Sequence, residues 1–164
     1  MAEKRLYLLA GFDPKTENQL ADWQRLLTEA GFQGQQTNIF PHLTLADFPC
    51  GEEGMLRQKL PAIKSEPIPI AFSHIGFFGG GKVLFAAPDI SLPLLALREQ
   101  FSNAPYWTPH ATLLIDEPEQ TKDALALLQK AFVPLEGRLE SLWLYEFQPP
   151  RFIAQTPLPP KELS

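Results

Sequence analysis

The sequence predicts an α+β fold: a pseudo-symmetric, two-lobed duplication with antiparallel sheets around a central cleft and helices outside. Strand-like and helix-like segments alternate along the chain. A Pro-His-x-Thr-Leu motif occurs twice at the same point of that alternation, at residues 41–45 and 109–113. The composition, with 45% apolar and 20% charged residues, is that of an ordinary globular domain. At this length, residues 1–164 are expected to form a single two-lobed domain.

The first half begins with a strand and an amphipathic helix. Residues 5–12 are a short apolar run closed by Asp-Pro, which is typical of a strand. From 15 to 31, apolar residues recur every three or four positions, which predicts a helix with Thr16 as its N-cap. Residues 40–48, which contain the first motif, are expected to form the next strand.

A second helix and a hairpin lead from the first half into the second. Residues 52–64 have helical character despite a proline near their end. The β-rich runs 68–78 and 83–87 flank three consecutive glycines at 79–81, which predicts a β-hairpin with a flexible turn. The later elements are expected in this order: a helix at 92–101, a strand at 108–115, a helix at 117–132, strands at 139–147 and 152–156, and a loose tail from 157.

The two motifs belong to a longer internal repeat. They lie 68 residues apart, and the same offset places Ser73 on Ser141. Each half therefore has the order strand, helix, strand with His-x-Thr, helix, strand. The predicted repeat halves are residues 5–78 and 82–147.

The repeated motif is expected to bring two kinds of polar side chain together. In a strand, residues i and i+2 point to the same face, so His42 lies beside Thr44 and His110 lies beside Thr112. If the halves pack face to face, two imidazoles and two hydroxyls meet in one pocket. One imidazole can accept a proton while the other donates one, and the hydroxyls can donate hydrogen bonds to phosphate oxygens. This set suits phosphodiester chemistry without a metal; the alternative is a structural Pro-His pair retained in a duplicated fold.

These motifs, the opening RLYLLAGF strand and the order of the repeat resemble the two-histidine (2H) phosphoesterase superfamily, and within it the bacterial 2'-5' RNA ligase-like proteins. The resemblance implies two α+β lobes around a cleft. It also implies a hydrolase or ligase of RNA processing, typically a cyclic phosphodiesterase that hydrolyses 2',3'-cyclic phosphates with no metal and no cofactor. By this resemblance, His42 and His110 are the catalytic acid–base pair, and Thr44 and Thr112 bind the substrate phosphate.

Other candidate residues have a structural alternative. Tyr106 and Trp107 precede the second motif and are candidates for stacking on a nucleobase, and a place in the core fits them equally well. The glycines at 79–81 lack the phosphate-loop pattern, so a hairpin turn is favoured over a phosphate site. His74 is a candidate third zinc ligand, but the other half has Leu142 at the matching position, so no metal site is expected.

Charge and composition limit the partners. The chain has 14 Lys and Arg against 19 Asp and Glu, so long duplex nucleic acid is not an expected partner. A small nucleotide cyclic phosphate or an RNA end is the expected ligand. No apolar run is long enough for a membrane span, and the single cysteine, Cys50, excludes an internal disulfide. We therefore expect a cytoplasmic protein, and a monomer. Three functions stay open: the phosphoesterase, a non-catalytic sensor that binds a nucleotide or RNA end in the same cleft, and an RNA-binding partner of a tRNA ligase, which would need a basic stripe formed by folding.

Overall fold

The architecture is an α+β arrangement of strands and helices along one chain. A computed structural model describes residues 3–35 and 38–159. The strands are β1 (Arg5–Phe12), β2 (His42–Pro49), β3 (Ile68–Phe78), β4 (Val83–Pro88), β5 (Ala111–Ile115), β6 (Leu135–Phe147) and β7 (Arg151–Pro157). The α-helices are α1 (Pro14–Glu29), α2 (Glu53–Lys59), α3 (Leu92–Glu99) and α4 (Pro118–Ala131).

The strands form one antiparallel sheet in the order β2-β1-β6-β3-β4-β5, with β7 beside β6. In the first lobe, β2 pairs with β1, and β1 pairs with residues 139–147 of β6. In the second lobe, β5 pairs with β4, and β4 pairs with residues 72–78 of β3. The two lobes join where residues 68–72 of β3 pair with residues 135–139 of β6.

Each lobe takes its third strand from the opposite half of the chain. β6 follows the second motif in sequence, yet it completes the part of the sheet that carries the first motif. β3 follows the first motif and completes the part of the sheet that carries the second. The fold class predicted from the repeat is confirmed, and this strand exchange is an addition to it.

The alternation of buried residues determines which way the motif strands face. In β2, Leu43 and Leu45 are fully buried. In β5, Ala111 and Leu113 are buried in the same core. Because successive side chains of a strand point to opposite faces, the residues between them face away from this core.

The N-cap of α1 differs from the prediction. Asp13, not Thr16, is the N-cap: its backbone is extended, and its carboxylate accepts a hydrogen bond from the Thr16 amide at 3.3 Å. Pro14 follows as the first helical residue, where its missing N–H costs nothing. The Thr16 hydroxyl is buried and donates to the same carboxylate at 2.7 Å. Thr16 therefore supports the cap from inside the helix.

Two further segments differ from the sequence expectations. The helix predicted at 52–64 is shorter, because α2 is followed by a 3-10 turn at Leu60–Ala62 that includes Pro61. The tail is not loose at its start: Leu158 is buried, and its amide donates to the Glu140 carbonyl at 2.8 Å. Residues 160–164 lie outside the described part of the chain.

The predicted hairpin between β3 and β4 is confirmed. Gly79, Gly80 and Gly81 all have positive φ angles, of 67°, 69° and 88°, a conformation that glycine adopts without steric cost. Across residues 3–35 and 38–159, no helix has the length and apolar character needed to cross a membrane.

Candidate functional site

The two motifs lie on the outer strands of the two lobes. His42 is the first residue of β2, and His110 directly precedes β5. The buried leucines and alanine of these strands face the core, so Thr44 and Thr112 lie on the opposite, half-buried face. The strand β5 starts later than the sequence predicts, which leaves His110 just outside the regular strand.

The motif residues line two adjoining cavities. His42, Thr44 and Thr112 line a cavity of about 550 Å³, which we call the larger cavity. Thr44 and His110 line one of about 370 Å³, the smaller cavity. Thr44 and Tyr7 line both cavities, so the cavities adjoin, and each of the four predicted site residues lines at least one of them.

Both imidazoles are held in the same way. Nδ1 of His42 donates to the Phe40 carbonyl at 2.8 Å, and Nδ1 of His110 donates to the Thr108 carbonyl at 2.8 Å. A carbonyl can only accept, so the proton of a neutral ring stays on Nδ1 and Nε2 carries the lone pair. Within the described residues, neither Nε2 atom has a hydrogen-bond partner. Two basic nitrogens are thus left for a ligand.

The hydroxyls of the motif threonines also have no hydrogen-bond partner among residues 3–35 and 38–159. The backbone carbonyls of Thr44 and Thr112 accept hydrogen bonds from other side chains, but their own hydroxyls do not take part in these bonds. A hydroxyl can donate one hydrogen bond and accept two. The site therefore combines two free hydroxyl donors with two free imidazole nitrogens.

The surroundings favour the neutral form of both histidines. Burial has the largest effect on the pKa of His42 and lowers it; the hydrogen bond to the Phe40 carbonyl opposes burial by raising the pKa, and the charge of His110 lowers the pKa by a smaller amount. Burial also lowers the pKa of His110, against the hydrogen bond to the Thr108 carbonyl. The proximity of the two rings means that a second proton is harder to add than the first.

Aromatic edges fix the orientation of the two imidazoles. Phe40 meets His42 edge-to-face, with ring centroids 6.0 Å apart. Phe78 meets His110 in the same manner at 4.5 Å, and Phe85 lies 5.5 Å away. These contacts and the Nδ1 hydrogen bonds restrain both rings before any ligand binds.

Hydrogen bonds between the halves position the motif strands. The Trp107 indole N–H donates to the Thr44 carbonyl at 3.0 Å. In the reciprocal direction, the Gln24 side-chain amide on α1 donates to the Thr112 carbonyl at 3.0 Å. Each motif threonine is therefore held by a side chain from the half of the chain that does not contain it.

The two candidate stacking residues have different environments. Tyr106 is 93% exposed and lines the smaller cavity, so its ring is free to contact a ligand there. Trp107 lines the same cavity but packs against the core, and the Arg98 guanidinium lies 5.2 Å from its ring centroid. Stacking on a nucleobase stays a prediction for both residues.

Three residues of the site were not found from the sequence. Tyr7 lies between the cavities, and its alternation with Leu6 and Leu8 in β1 was a usable signal. Gln24 and Arg98 come from helices whose sequence pattern reports only which face is buried, so nothing local indicated their contacts with the site.

His74 does not join the motif histidines in a cluster. It is exposed on β3, and its Nδ1 lies 3.0 Å from the Ser73 hydroxyl. Within the described ranges, no group of three or more His, Cys, Asp or Glu residues has a geometry that could hold a metal ion.

A family model places the chain in a known superfamily. The model of the 2'-5' RNA ligase superfamily matches residues 12–150. The chain belongs to this superfamily. The resemblance drawn from the paired motifs is confirmed, and superfamily membership supports a phosphoesterase-type activity. A search of curated proteins finds no match to the chain.

Solved structures share the superfamily fold at low sequence identity. Apo LigT from E. coli gives a TM-score of 0.61 at 17% identity, over 96% of this chain and 99% of that one. E. coli LigT complexed with ATP gives 0.65 at 20% identity, over 95% and 98%. The protein TT0787 of Thermus thermophilus gives 0.63 at 16% identity, over 96% and 100%. At these identities the likeness establishes the fold.

Proposed function

We propose that this chain is a metal-independent phosphoesterase that hydrolyses, or reversibly forms, 2',3'-cyclic phosphate or 2'-5' phosphodiester bonds in nucleotides or RNA ends. The observation that carries the proposal is the matched pair of histidines. Each has its Nδ1 on a backbone carbonyl and its Nε2 free, beside two free threonine hydroxyls. Nucleotide complexes are known for E. coli LigT, solved with ATP and with 3'-AMP, which favours a nucleotide ligand.

In the proposed hydrolysis, the two Nε2 atoms move one proton each. Nε2 of the neutral histidine accepts a proton from water as the water oxygen forms a bond to phosphorus. The P–O bond to the 2'- or 3'-oxygen breaks, and Nε2–H of the protonated histidine donates its proton to that leaving oxygen. Thr44 and Thr112 donate hydrogen bonds to the non-bridging oxygens, where negative charge develops. Run in reverse, the same steps join a hydroxyl to a cyclic phosphate.

Binding of the substrate promotes protonation of one of the two histidines. Burial lowers the pKa of both His42 and His110, so a proton is bound weakly in the empty site. A bound phosphodiester anion favours the protonated imidazole and raises its pKa. The pair then holds the single proton that the mechanism needs, and the apparent pKa values belong to the pair.

The pH dependence of kcat/KM tests this charge state. Both histidine pKa values are lowered from 6.5 in the free protein, so the singly protonated pair is most populated below pH 6.5. We expect the bell-shaped kcat/KM profile to peak below pH 6.5, and the kcat profile to peak at higher pH because bound substrate raises the pKa values. A kcat/KM maximum above pH 7.5 would contradict the mechanism.

A turnover assay after EDTA treatment tests the activity. The panel contains 2',3'-cyclic nucleotides, ADP-ribose 1'',2''-cyclic phosphate and short 2'-5' linked oligonucleotides. His42→Ala and His110→Ala should each lose about 10²–10⁴ in rate. His74→Ala, at the exposed third histidine, is the matched control and should keep the wild-type rate.

Two outcomes overturn the proposal. Full turnover in both His42→Ala and His110→Ala would exclude the two-histidine mechanism. No turnover across the panel, combined with a ligand-induced rise in melting temperature, would support the alternative function, a nucleotide or RNA-end sensor. The opened product identifies the oxygen that leaves.

A further inference from the structure

The smaller cavity is lined by a buried arginine whose charge has no counterion in the described chain. Arg98, near the end of α3, is 8% exposed. Its Nη1 donates to the Ala104 carbonyl at 2.9 Å, and its guanidinium lies over the Trp107 ring. Its Nε is buried without a hydrogen-bond partner. Over residues 3–35 and 38–159, no carboxylate forms an ion pair with it.

The one carboxylate among the described residues that line this cavity is already paired. Asp47 on β2 accepts from Nε of Arg5 on β1 at 2.7 Å. The charge of Arg98 is therefore not balanced from within the cavity wall. Burial of a guanidinium without an anion is costly, and its five fixed donors match carboxylate or phosphate oxygens.

The position of Arg98 relates it to the proposed phosphate site. Thr44 and His110 line the same cavity, so an anion beside Arg98 lies next to the motif residues. The nearby Tyr106 ring is exposed on the wall of that cavity. A ligand with its reacting phosphate at Thr44 and His110 has room to extend toward Arg98 within a cavity of about 370 Å³.

We propose that Arg98 binds a second phosphate of the substrate, apart from the one that reacts. The inference rests on the proposed function and specifies its substrate: a nucleotide or RNA end that carries a phosphate besides the cyclic one. That phosphate is either a terminal 5'-phosphate or the phosphodiester to a preceding nucleotide. A nucleoside cyclic phosphate with a free 5'-hydroxyl lacks this group and leaves Arg98 unpaired.

Three substrates separate these sources. They are adenosine 2',3'-cyclic phosphate, its 5'-phosphorylated form, and the dinucleotide ApA ending in a 2',3'-cyclic phosphate. Wild type should prefer one or both phosphate-bearing substrates over the first by roughly 10- to 100-fold in kcat/KM, the usual effect of a hydrogen-bonded charge pair. The favoured substrate identifies whether the second phosphate is terminal or internal.

The preference should disappear when the charge is removed. Arg98→Met keeps an unbranched apolar chain over Trp107, and Arg98→Gln keeps a neutral donor for the Ala104 carbonyl. In both variants, the preference should fall to about one. The preference is a ratio of kcat/KM values for two substrates of the same variant. A general loss of activity lowers both values equally and leaves the ratio unchanged. Arg25→Met, at an exposed arginine that lines the larger cavity and pairs with Asp22, is the control and should keep the wild-type preference.

Binding measurements make the inference independent of turnover. By titration calorimetry, wild type should bind adenosine 3',5'-bisphosphate more tightly than adenosine 3'-monophosphate, and both Arg98 variants should lose the difference. Thermal unfolding verifies that each variant is folded. An unchanged preference in the Arg98 variants, or its loss in Arg25→Met instead, overturns the assignment. If the proposed phosphoesterase function itself is wrong, a different result is expected: no substrate is turned over in a manner that depends on the two histidines.

Discussion

Acidification should lower the unfolding free energy of this protein, because His42 is harder to protonate in the folded chain than in the unfolded chain. Burial, and then the charge of His110, lowers the pKa of His42 in the folded chain, while in the unfolded chain it titrates near 6.5. Between pH 7.5 and 5.5, the unfolded state therefore binds more protons than the folded state. Stability rises with pH wherever this holds, so it falls as the pH drops through this window.

The size of the effect has an upper limit. If folded His42 stays neutral throughout, a reference pKa of 6.5 gives a loss of at most about 1.4 kcal/mol in unfolding free energy between pH 7.5 and 5.5. For a chain of this size, that corresponds to about 3–6 °C in Tm. His110 contributes in the same direction, because burial lowers its pKa as well. Carboxylates contribute little, because most are ionised in both states at these pH values.

Urea unfolding at pH 7.5, 6.5 and 5.5 measures this loss. His42→Asn keeps a side-chain amide for the Phe40 carbonyl but cannot titrate, so it should lose most of the acid-induced destabilisation. His74→Asn, at the exposed histidine, should retain the wild-type pH dependence. If His42→Asn has the same pH slope as wild type, the argument that burial keeps His42 neutral is refuted.

Three substitutions test local contacts in the fold by urea denaturation. Trp107→Phe removes the hydrogen bond to the Thr44 carbonyl and should cost about 1–2 kcal/mol of unfolding free energy; an unchanged midpoint would show that this bond does not hold β2. Gly137→Ala places a Cβ in steric clash with the Thr16 hydroxyl and should cost about 1–3 kcal/mol of unfolding free energy. Gly54→Ala, in α2 with nothing within 4 Å, should instead gain about 0.5–1 kcal/mol, and a loss there would contradict the helix assignment.

Local sequence patterns predicted the helices and strands better than they predicted which strands pair with each other. The strand at 5–12 and the hairpin around 79–81 follow from apolar runs and turn residues, and the structure contains both. The exchange of β3 and β6 between lobes depends on pairings far apart in sequence, which periodicity does not report. The N-cap of α1 is an intermediate case: Pro14 marks the first helical position, and Asp13 before it is a better N-cap residue than Thr16, so local signals did indicate the observed cap.

The candidate site shows the same division. His42 and His110 are candidates because the motif is repeated, and two copies at matching places carry information that one copy lacks. Gln24 and Arg98 depend on which helix face meets which strand, so only the folded chain brings them to the site. The roles of the motif residues in catalysis stay a proposal that the turnover assay tests.

Because of the strand exchange, neither half of the chain is expected to fold independently. If the chain is cut at Gly79–Gly81, neither fragment holds all three strands of a lobe, because each carries the third strand of the other. A single fragment exposes unpaired strand edges, and such edges associate with any available partner. The two fragments should therefore recover a native structure only together, by complementation. A half-length chain of this design would need a second copy of itself, with each copy lending one strand to the other.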